Sequence, residues 1–139
     1  MNYGRPLEHT ISRGKIPKDL PPNVRKEIDS LYSRDELERA EAAYELGEIG
    51  KEASAAIPFL TGMLGDFQPL EWRTEITPVC HGEFTSTGNE AAKALAKMGP
   101  EGIEALKNAA KKQKNSPVAY QAMSALNKVS RDKKNNKAP

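Results

Sequence analysis

The sequence predicts an all-α protein in which antiparallel helix pairs stack side by side. A pattern of apolar and small residues recurs along the chain, first at an offset of 49 residues and then at an offset of 31. Within each copy the apolar residues are spaced by three and four, which is the period of an amphipathic helix. Proline and capping residues stand where such helices would begin. Self-similarity of this kind determines the architecture of the whole chain.

The recurring positions are small or aliphatic in every copy. The first copy contains Ala42-Ala43, Leu46, Ile49-Gly50 and Ile57. The second contains Ala91-Ala92, Leu95, Met98-Gly99 and Leu106, and the third contains Ala122, Leu126 and Val129. The two offsets differ by about eighteen residues, so the first copy carries an insertion of that length. We place it between Asp66 and Gly88, at about residues 66–88.

The chain divides into an arm, a helical domain and a tail. Residues 1–20 contain scattered Gly and Pro without periodicity, which predicts an extended or disordered arm. The repeat domain covers residues 21–130, and residues 131–139 predict a disordered, basic tail. A short amphipathic helix after Pro21-Pro22 is expected to cap the first helix pair, because apolar residues recur along one face of it. Those residues are Val24, Ile28, Leu31 and Tyr32.

Helix starts are predicted from capping residues and prolines. Ser33 to Glu36 and Thr87 to Glu90 both read as capping boxes, with a hydroxyl at the N-cap and Glu at the third helical position. Pro100 is expected to start the second helix of the second pair, and the last helix is predicted over Pro117 to Ser130. Gly50 and Gly99 are expected to end the first helix of each pair.

The segment from Arg39 to Gly50, followed by Ala56-Ile57-Pro58-Phe59-Leu60 and Asp66, resembles a HEAT repeat of the short bacterial kind, often called the phycobilin-lyase type. Asn89 to Pro100 looks like a second copy, and Val118 to Ser130 is similar in its first helix alone. The resemblance implies a short right-handed α-solenoid of about two and a half repeats. Stacking usually needs about three.

A short array leaves the last helix with an uncovered apolar edge. That edge comprises Val118, Met123, Leu126 and Val129. We hypothesise that it is covered by the N-terminal arm, by a second copy of the chain or by a larger partner.

The resemblance also implies that partners bind the concave face formed by the second helices. Carried over to this sequence, the outward positions are Phe59 and Met63 on the first pair, and Glu104, Lys107 and Lys111 on the second. An apolar step beside a basic one suits an amphipathic segment with acidic flanks. The alternative is that Phe59 and Met63 pack against the insertion.

The insertion concentrates aromatic residues and is the second candidate binding element. Trp72 and Arg73 belong to residue types that are enriched at interaction hot spots, so we interpret them as a surface anchor. Phe67 and Phe84 are expected to fold back onto the helices instead. The strand-like run from Thr74 to Thr85 is compatible with a short hairpin.

Cys80 and His81 are the residues of catalytic type, and they also lie in the insertion. Side chains adjacent in sequence seldom point at each other, and no second Cys or nearby His completes a metal site. We therefore expect no catalytic site, no metal and no cofactor. A lyase-type or thiol-dependent enzyme that uses this pair is an alternative, by analogy with the bilin lyases.

The charge of the chain is unevenly distributed. The formal net charge is +2, but residues 1–26 carry +4, residues 27–100 carry −8 and residues 101–139 carry +6. Basic C-terminal helices make nucleic acid an alternative partner, although the acidic middle would repel a polyanion. No apolar run is long enough to span a membrane, and a single cysteine fits the cytoplasm. The sequence thus predicts a cytoplasmic, non-catalytic adaptor, scaffold or accessory subunit that binds a protein partner.

Overall fold

The computed structural model describes residues 11–66, 85–112 and 114–135 of the 139-residue chain. Within these ranges the regular secondary structure is helical and contains no strand. The α-helices are α1 (Pro22–Ser30), α2 (Glu36–Ile49), α3 (Ile57–Gly62), α4 (Thr87–Ala96), α5 (Pro100–Lys112) and α6 (Pro117–Asn135). Short 3-10 helices occupy Arg13–Lys15 and Gly50–Ala56. The predicted all-α class is confirmed for this part of the chain.

Two glycines after the first helix of each pair share one conformation. Gly50 has φ of 78° and Gly99 has φ of 79°. This left-handed region is strained for residues with a Cβ atom, so glycine is required there. The two residues are 49 positions apart, which is the repeat offset predicted from the sequence. Gly50 is the C-cap of α2, as expected, whereas α4 ends at Ala96 with Lys97 as its C-cap, so the expectation that Gly99 ends α4 is wrong.

The predicted N-caps of α2 and α4 are wrong by one or two residues. Helix α2 is capped by Asp35, whose carboxylate accepts from the Leu37 amide at 3.1 Å. Helix α4 is capped by Ser86, whose hydroxyl accepts from the Asn89 amide at 3.2 Å. More than one residue near the start of each helix has a short polar side chain: Ser33 and Asp35 for α2, and Ser86 and Thr87 for α4. Any of them can cap, so the sequence predicts the N-cap only to within one or two residues.

The helices form two interlocked layers. Helix α2 packs against α4 and α4 packs against α6, whereas α3 and α5 pack against each other and against α4. Close approach of α2 and α4 depends on Gly47, where a Cβ atom would lie 2.9 Å from the Cα of Ala94. Leu46 and Leu95 occupy equivalent repeat positions, and both are fully buried in the core.

Helix α1 and the segment before it cover the N-terminal end of the stack. Val24 and Ile28 of α1 are buried, and α1 packs against α2. The hydroxyl of Tyr32 donates to the carbonyl of Ile11 at 2.9 Å, and Ile16 is also buried. The part of the expected arm from residue 11 onward is therefore packed on the domain rather than detached from it.

Helix α6 is longer than predicted. It continues to Asn135 rather than ending at Ser130, so residues 131–135 of the expected disordered tail are helical. These residues contain neither Gly nor Pro, so nothing in the chain breaks the helix at residue 131.

Candidate binding surfaces

The expected outward placement of Phe59 and Met63 is wrong. Phe59 is 3% exposed and Met63 is 1% exposed, and both belong to the main hydrophobic core. Helix α3 is only six residues long and contacts α4, α5 and the Gly50–Ala56 segment. Because other elements cover α3 on several sides, side chains around much of its circumference are buried. Phe59 and Met63 therefore form no exposed apolar surface for a partner.

The three polar residues expected on the second pair lie at the surface. Glu104, Lys107 and Lys111 are all exposed on α5. They are spaced by three and four residues, so they share one face of the helix. That face carries charge and no large apolar side chain. It can therefore steer a charged partner, but it contains no anchor residue of the kind that dominates binding energy.

The residues predicted for the insertion lie outside the described part of the chain. They are Phe67, Trp72, Arg73, Cys80, His81 and Phe84, together with most of the predicted hairpin. Among the described residues, no group of three or more His, Cys, Asp and Glu side chains could hold a metal ion.

The two ends of the insertion meet at one place. The amide of Gly88 donates to the carbonyl of Asp66 at 2.7 Å. A Cβ atom on Gly88 would lie 2.8 Å from the carbonyl oxygens of Asp66 and Leu64, so only glycine permits this approach. The residues on either side of the insertion are therefore in direct contact.

A buried polar cluster, which we call the insertion foot, surrounds this junction. It comprises every buried polar or charged residue of the described ranges: Arg39, Asp66, Thr85, Ser86, Thr87 and Glu90. Buried polar groups are costly unless they are hydrogen-bonded, so a cluster of them needs a dense network.

The network of the insertion foot links α2 to both ends of the insertion. Arg39 Nε lies 2.8 Å from Asp66 Oδ2, and Arg39 Nη1 donates to the Ser33 carbonyl at 2.9 Å. The hydroxyl of Thr85 donates to Glu90 Oε2 at 2.6 Å. The third guanidinium nitrogen of Arg39 is buried, and no described residue accepts a hydrogen bond from it. The foot thus anchors the insertion to the rigid stack.

An acidic group of three carboxylates lies where α1 meets α2. Burial raises the pKa of Glu27 in α1 above its ordinary value, Lys26 lowers it, and the carboxylates of Glu45 and Glu41 raise it further. Ionised Glu27 is therefore disfavoured in the folded chain relative to the unfolded one.

An apolar surface that the sequence analysis did not choose as a site lies on α6. Tyr120 is 74% exposed and Met123 is 48% exposed, and they are the exposed large hydrophobic residues of the described ranges. They are three residues apart and lie on the same side of the helix. Met123 belongs to the uncovered edge that the sequence predicted, whereas Tyr120 was overlooked. The repeat offsets could have identified Tyr120, because it is a large residue at the position that Ala40 occupies in the first copy.

In helical-repeat proteins, helix pairs stack so that the first helix of one pair packs on the first helix of the next. The packing of α2 on α4 and of α4 on α6 is of this kind. Residues 89–112, which include most of α4 and all of α5, match the family described as PBS lyase HEAT-like repeat. This match supports the predicted resemblance to HEAT-like repeats of the phycobilin-lyase type. No curated protein and no solved structure matches the chain. No helix among the described residues is both long and apolar enough to cross a membrane.

Proposed function

We propose that this chain is a non-catalytic protein-binding module, an adaptor, scaffold or accessory subunit, built as a short right-handed solenoid of about two and a half repeats. HEAT-like repeats generally mediate protein–protein interaction, and the family is typically non-catalytic. A stack of helices with a packed core offers a preorganised surface, so a partner orders few residues when it binds.

The exposure of Tyr120 and Met123 on α6 is the observation that carries the proposal. Burying a large apolar side chain stabilises a complex by about 1.5–3 kcal/mol when it starts fully exposed. Aromatic anchors are also enriched at interaction hot spots. An exposed tyrosine beside an exposed methionine is thus a surface at which binding a protein releases free energy.

Two further surfaces belong to the proposal. The charged face of α5, formed by Glu104, Lys107 and Lys111, supports orientation of a partner through charge. Trp72 and Arg73 are proposed as a second anchor within the insertion. The polar insertion foot supports this idea, because a segment held at both ends is a defined element for a partner to contact.

An affinity capture with quantitative mass spectrometry tests the proposal. We expect Tyr120→Ser/Met123→Ser to lose specific partners without a fall in melting temperature, because both side chains are exposed. Trp72→Ala is expected to weaken the same capture. Lys112→Gln, which changes another exposed residue, and Cys80→Ala are matched controls that should retain it. Equal capture by the wild-type chain and the double variant would contradict the proposal.

Nucleic-acid binding is a second candidate function, and a specific observation favours it. Lysines of α5 and α6, including Lys107, Lys111 and Lys128, are exposed, and the aromatic ring of Tyr120 is exposed on α6. Lysines contact phosphates and aromatic rings stack on bases. A gel-shift titration at two salt concentrations discriminates the candidates. Nucleic-acid binding would appear as a complex that weakens steeply with salt, whereas the protein-binding proposal predicts no specific complex.

A further inference from the structure

The repeat offsets show which position of α6 is left uncovered. Ala43 in α2 corresponds to Ala92 in α4 and to Met123 in α6. Ala43 is 0% exposed and Ala92 is 1% exposed, and each lies in a helix with another first helix stacked beyond it. Met123 is 48% exposed at the same position. The exposed part of α6 is therefore the surface that the next layer of a longer stack would cover.

The residues at this surface differ from those used inside the stack. The small residues Ala40 and Ala43 stand at two of these positions in α2, and both are 0% exposed. Tyr120 and Met123 stand at the corresponding positions of α6. Large side chains at these points suit a partner with an apolar groove or stripe that receives them, rather than another tightly packed repeat.

A cross-repeat ion pair indicates the charge of that partner. Glu48 in α2 pairs with Lys97 beside α4, with Nζ and Oε2 2.6 Å apart. These two residues occupy one repeat position, and Lys128 occupies it in α6. Lys128 is exposed, and no carboxylate of the described ranges is paired with it. An acidic residue in the next layer would therefore be placed to pair with Lys128.

Most of the other charges near Lys128 have the same sign. Arg131 and Lys133 are exposed on α6, and Asp132 is the one acidic residue within Pro117–Asn135. The α6 face, which we define as Tyr120, Met123, Asn127, Lys128 and Arg131, is thus apolar toward its N-terminal half and basic toward its C-terminal half.

We propose that the α6 face binds an amphipathic α-helix of a partner protein, with an apolar stripe that receives Tyr120 and Met123 and acidic residues that pair with Lys128 and Arg131. The bound helix lies where the next layer of a longer stack would pack. This inference rests on the proposed protein-binding function, and it names the partner's chemistry and the surface that recognises it.

Neither a second copy nor the chain's own N-terminal segment fits this face as well. In a pair of α6 faces, Lys128 and Arg131 would meet either the same two residues or the apolar half of the other copy, so neither arrangement supplies acidic partners for them. The other end of the stack is covered by α1. The N-terminal segment lies at that opposite end, where the Ile11 carbonyl accepts from the Tyr32 hydroxyl at 2.9 Å.

The test is a selection from a phage library of random sixteen-residue peptides against the full chain, with prior depletion on Tyr120→Ser/Met123→Ser. We expect enriched peptides to be acidic, with apolar residues spaced by three and four. A synthetic selected peptide should bind the wild-type chain at least ten-fold more tightly than the double variant. Lys128→Glu should weaken it several-fold, and a peptide with Lys in place of its acidic residues should restore binding to that variant.

Other outcomes overturn the inference in distinguishable ways. Enrichment of basic or proline-rich extended peptides, or selected peptides whose binding is lost in Lys107→Glu/Lys111→Glu instead, would refute the α6 helix site and leave the protein-binding function standing. A dimer in sedimentation that dissociates in Tyr120→Ser/Met123→Ser would identify a second copy as the occupant. Failure of affinity capture together with failure to enrich any peptide over an unrelated protein would refute both proposals.

Discussion

At the scale of single residues, the buried polar and charged side chains of the described ranges are those of the insertion foot. Arg39 is 1% exposed, and its partner Asp66 is also buried. Desolvating two charges is costly, so such a pair adds little stability compared with apolar residues of similar size. Removing one member of a buried pair is different, because the other charge loses an interaction that offsets its desolvation.

Arg39→Met is expected to lower the free energy of unfolding by about 3–5 kcal/mol, because it breaks a buried ion pair by removing one of its members. Lys97→Met is the matched control, since it removes a cation from the exposed pair with Glu48 and should cost no more than about 1 kcal/mol. Urea unfolding measures both. A loss of stability in Arg39→Met no larger than that in Lys97→Met would contradict the role assigned to the foot.

The carboxylates at the junction of α1 and α2 predict a dependence of stability on pH. Because burial raises the pKa of Glu27, the folded chain binds more protons than the unfolded chain between the two pKa values. The free energy of unfolding contributed by Glu27 therefore falls as pH rises through that interval. The stabilising contribution is complete at low pH, where Glu27 is protonated in both states.

Glu27→Gln should raise the melting temperature at pH 7 and leave it nearly unchanged at about pH 3, because glutamine cannot ionise. Thermal unfolding followed by circular dichroism at the two pH values measures the effect. Glu52→Gln, at an exposed position, is the control and should show no such difference. A lower melting temperature for Glu27→Gln at pH 7, or equal shifts at both pH values, would refute the explanation.

At the scale of elements, the helices on either side of the insertion contact each other directly. Helices α3 and α4 pack against each other, and the Gly88 amide contacts the Asp66 carbonyl at 2.7 Å. A short loop can therefore join the two ends. Shortening a loop also lowers the entropic cost of closing it.

Replacing residues 67–84 with Gly-Ser-Gly-Ser should leave the helices folded, and it should lower the free energy of unfolding by no more than the loss of the two phenylalanine rings does. Far-UV circular dichroism and urea unfolding measure the two quantities. Phe67→Ser/Phe84→Ser in the full chain is the companion variant. It should lower the free energy of unfolding by about 1.5–3 kcal/mol for each ring, because the sequence predicts that both rings fold back onto the helices. A double variant as stable as the wild-type chain would contradict that expectation.

The elements could be predicted well wherever the repeat signal was strong. The helices, the glycine that ends α2 and the capping role of α1 follow from spacing, because Leu46, Leu95 and Gly50 allow few alternatives. The burial of Phe59 and Met63 could not be predicted in the same way. The 3-10 segment Gly50–Ala56, which is non-helical at Ala53, directly precedes α3, so helical spacing does not show which side of α3 faces the core.

The candidate site was harder to predict than the fold. Exposure of Tyr120 depends on which helices pack against α6, which is a property of the whole stack and not of the local sequence. Spacing identified Met123 as part of an apolar edge but could not distinguish it from Leu126, which is half-buried. The difference arises from the side of α6 that faces α4 and α5.

At the scale of the whole molecule, the stack has two different ends. Helix α1 and the segment from Ile11 onward cover the N-terminal end, whereas Tyr120 and Met123 are exposed at the other. The exposed end is also basic, while acidic residues predominate on α2. A short stack of this kind gains stability from any partner that covers its open end, because ligands that bind the folded state alone stabilise it.

The position of this open end predicts which helix changes its rate of amide hydrogen exchange when a partner binds. A terminal helix with one uncovered side opens more easily than a helix inside the stack, so its amides exchange faster with solvent. Covering the α6 face should slow that exchange. Helix α5, whose exposed face is charged and lacks an apolar anchor, should respond less.

Hydrogen exchange measured by mass spectrometry on the full chain, with and without a captured partner or selected peptide, tests the central claim most directly. The account predicts slower exchange concentrated in residues 117–131, and no such change in Tyr120→Ser/Met123→Ser under the same conditions. Slower exchange confined to residues 100–112, with α6 unchanged, would contradict it.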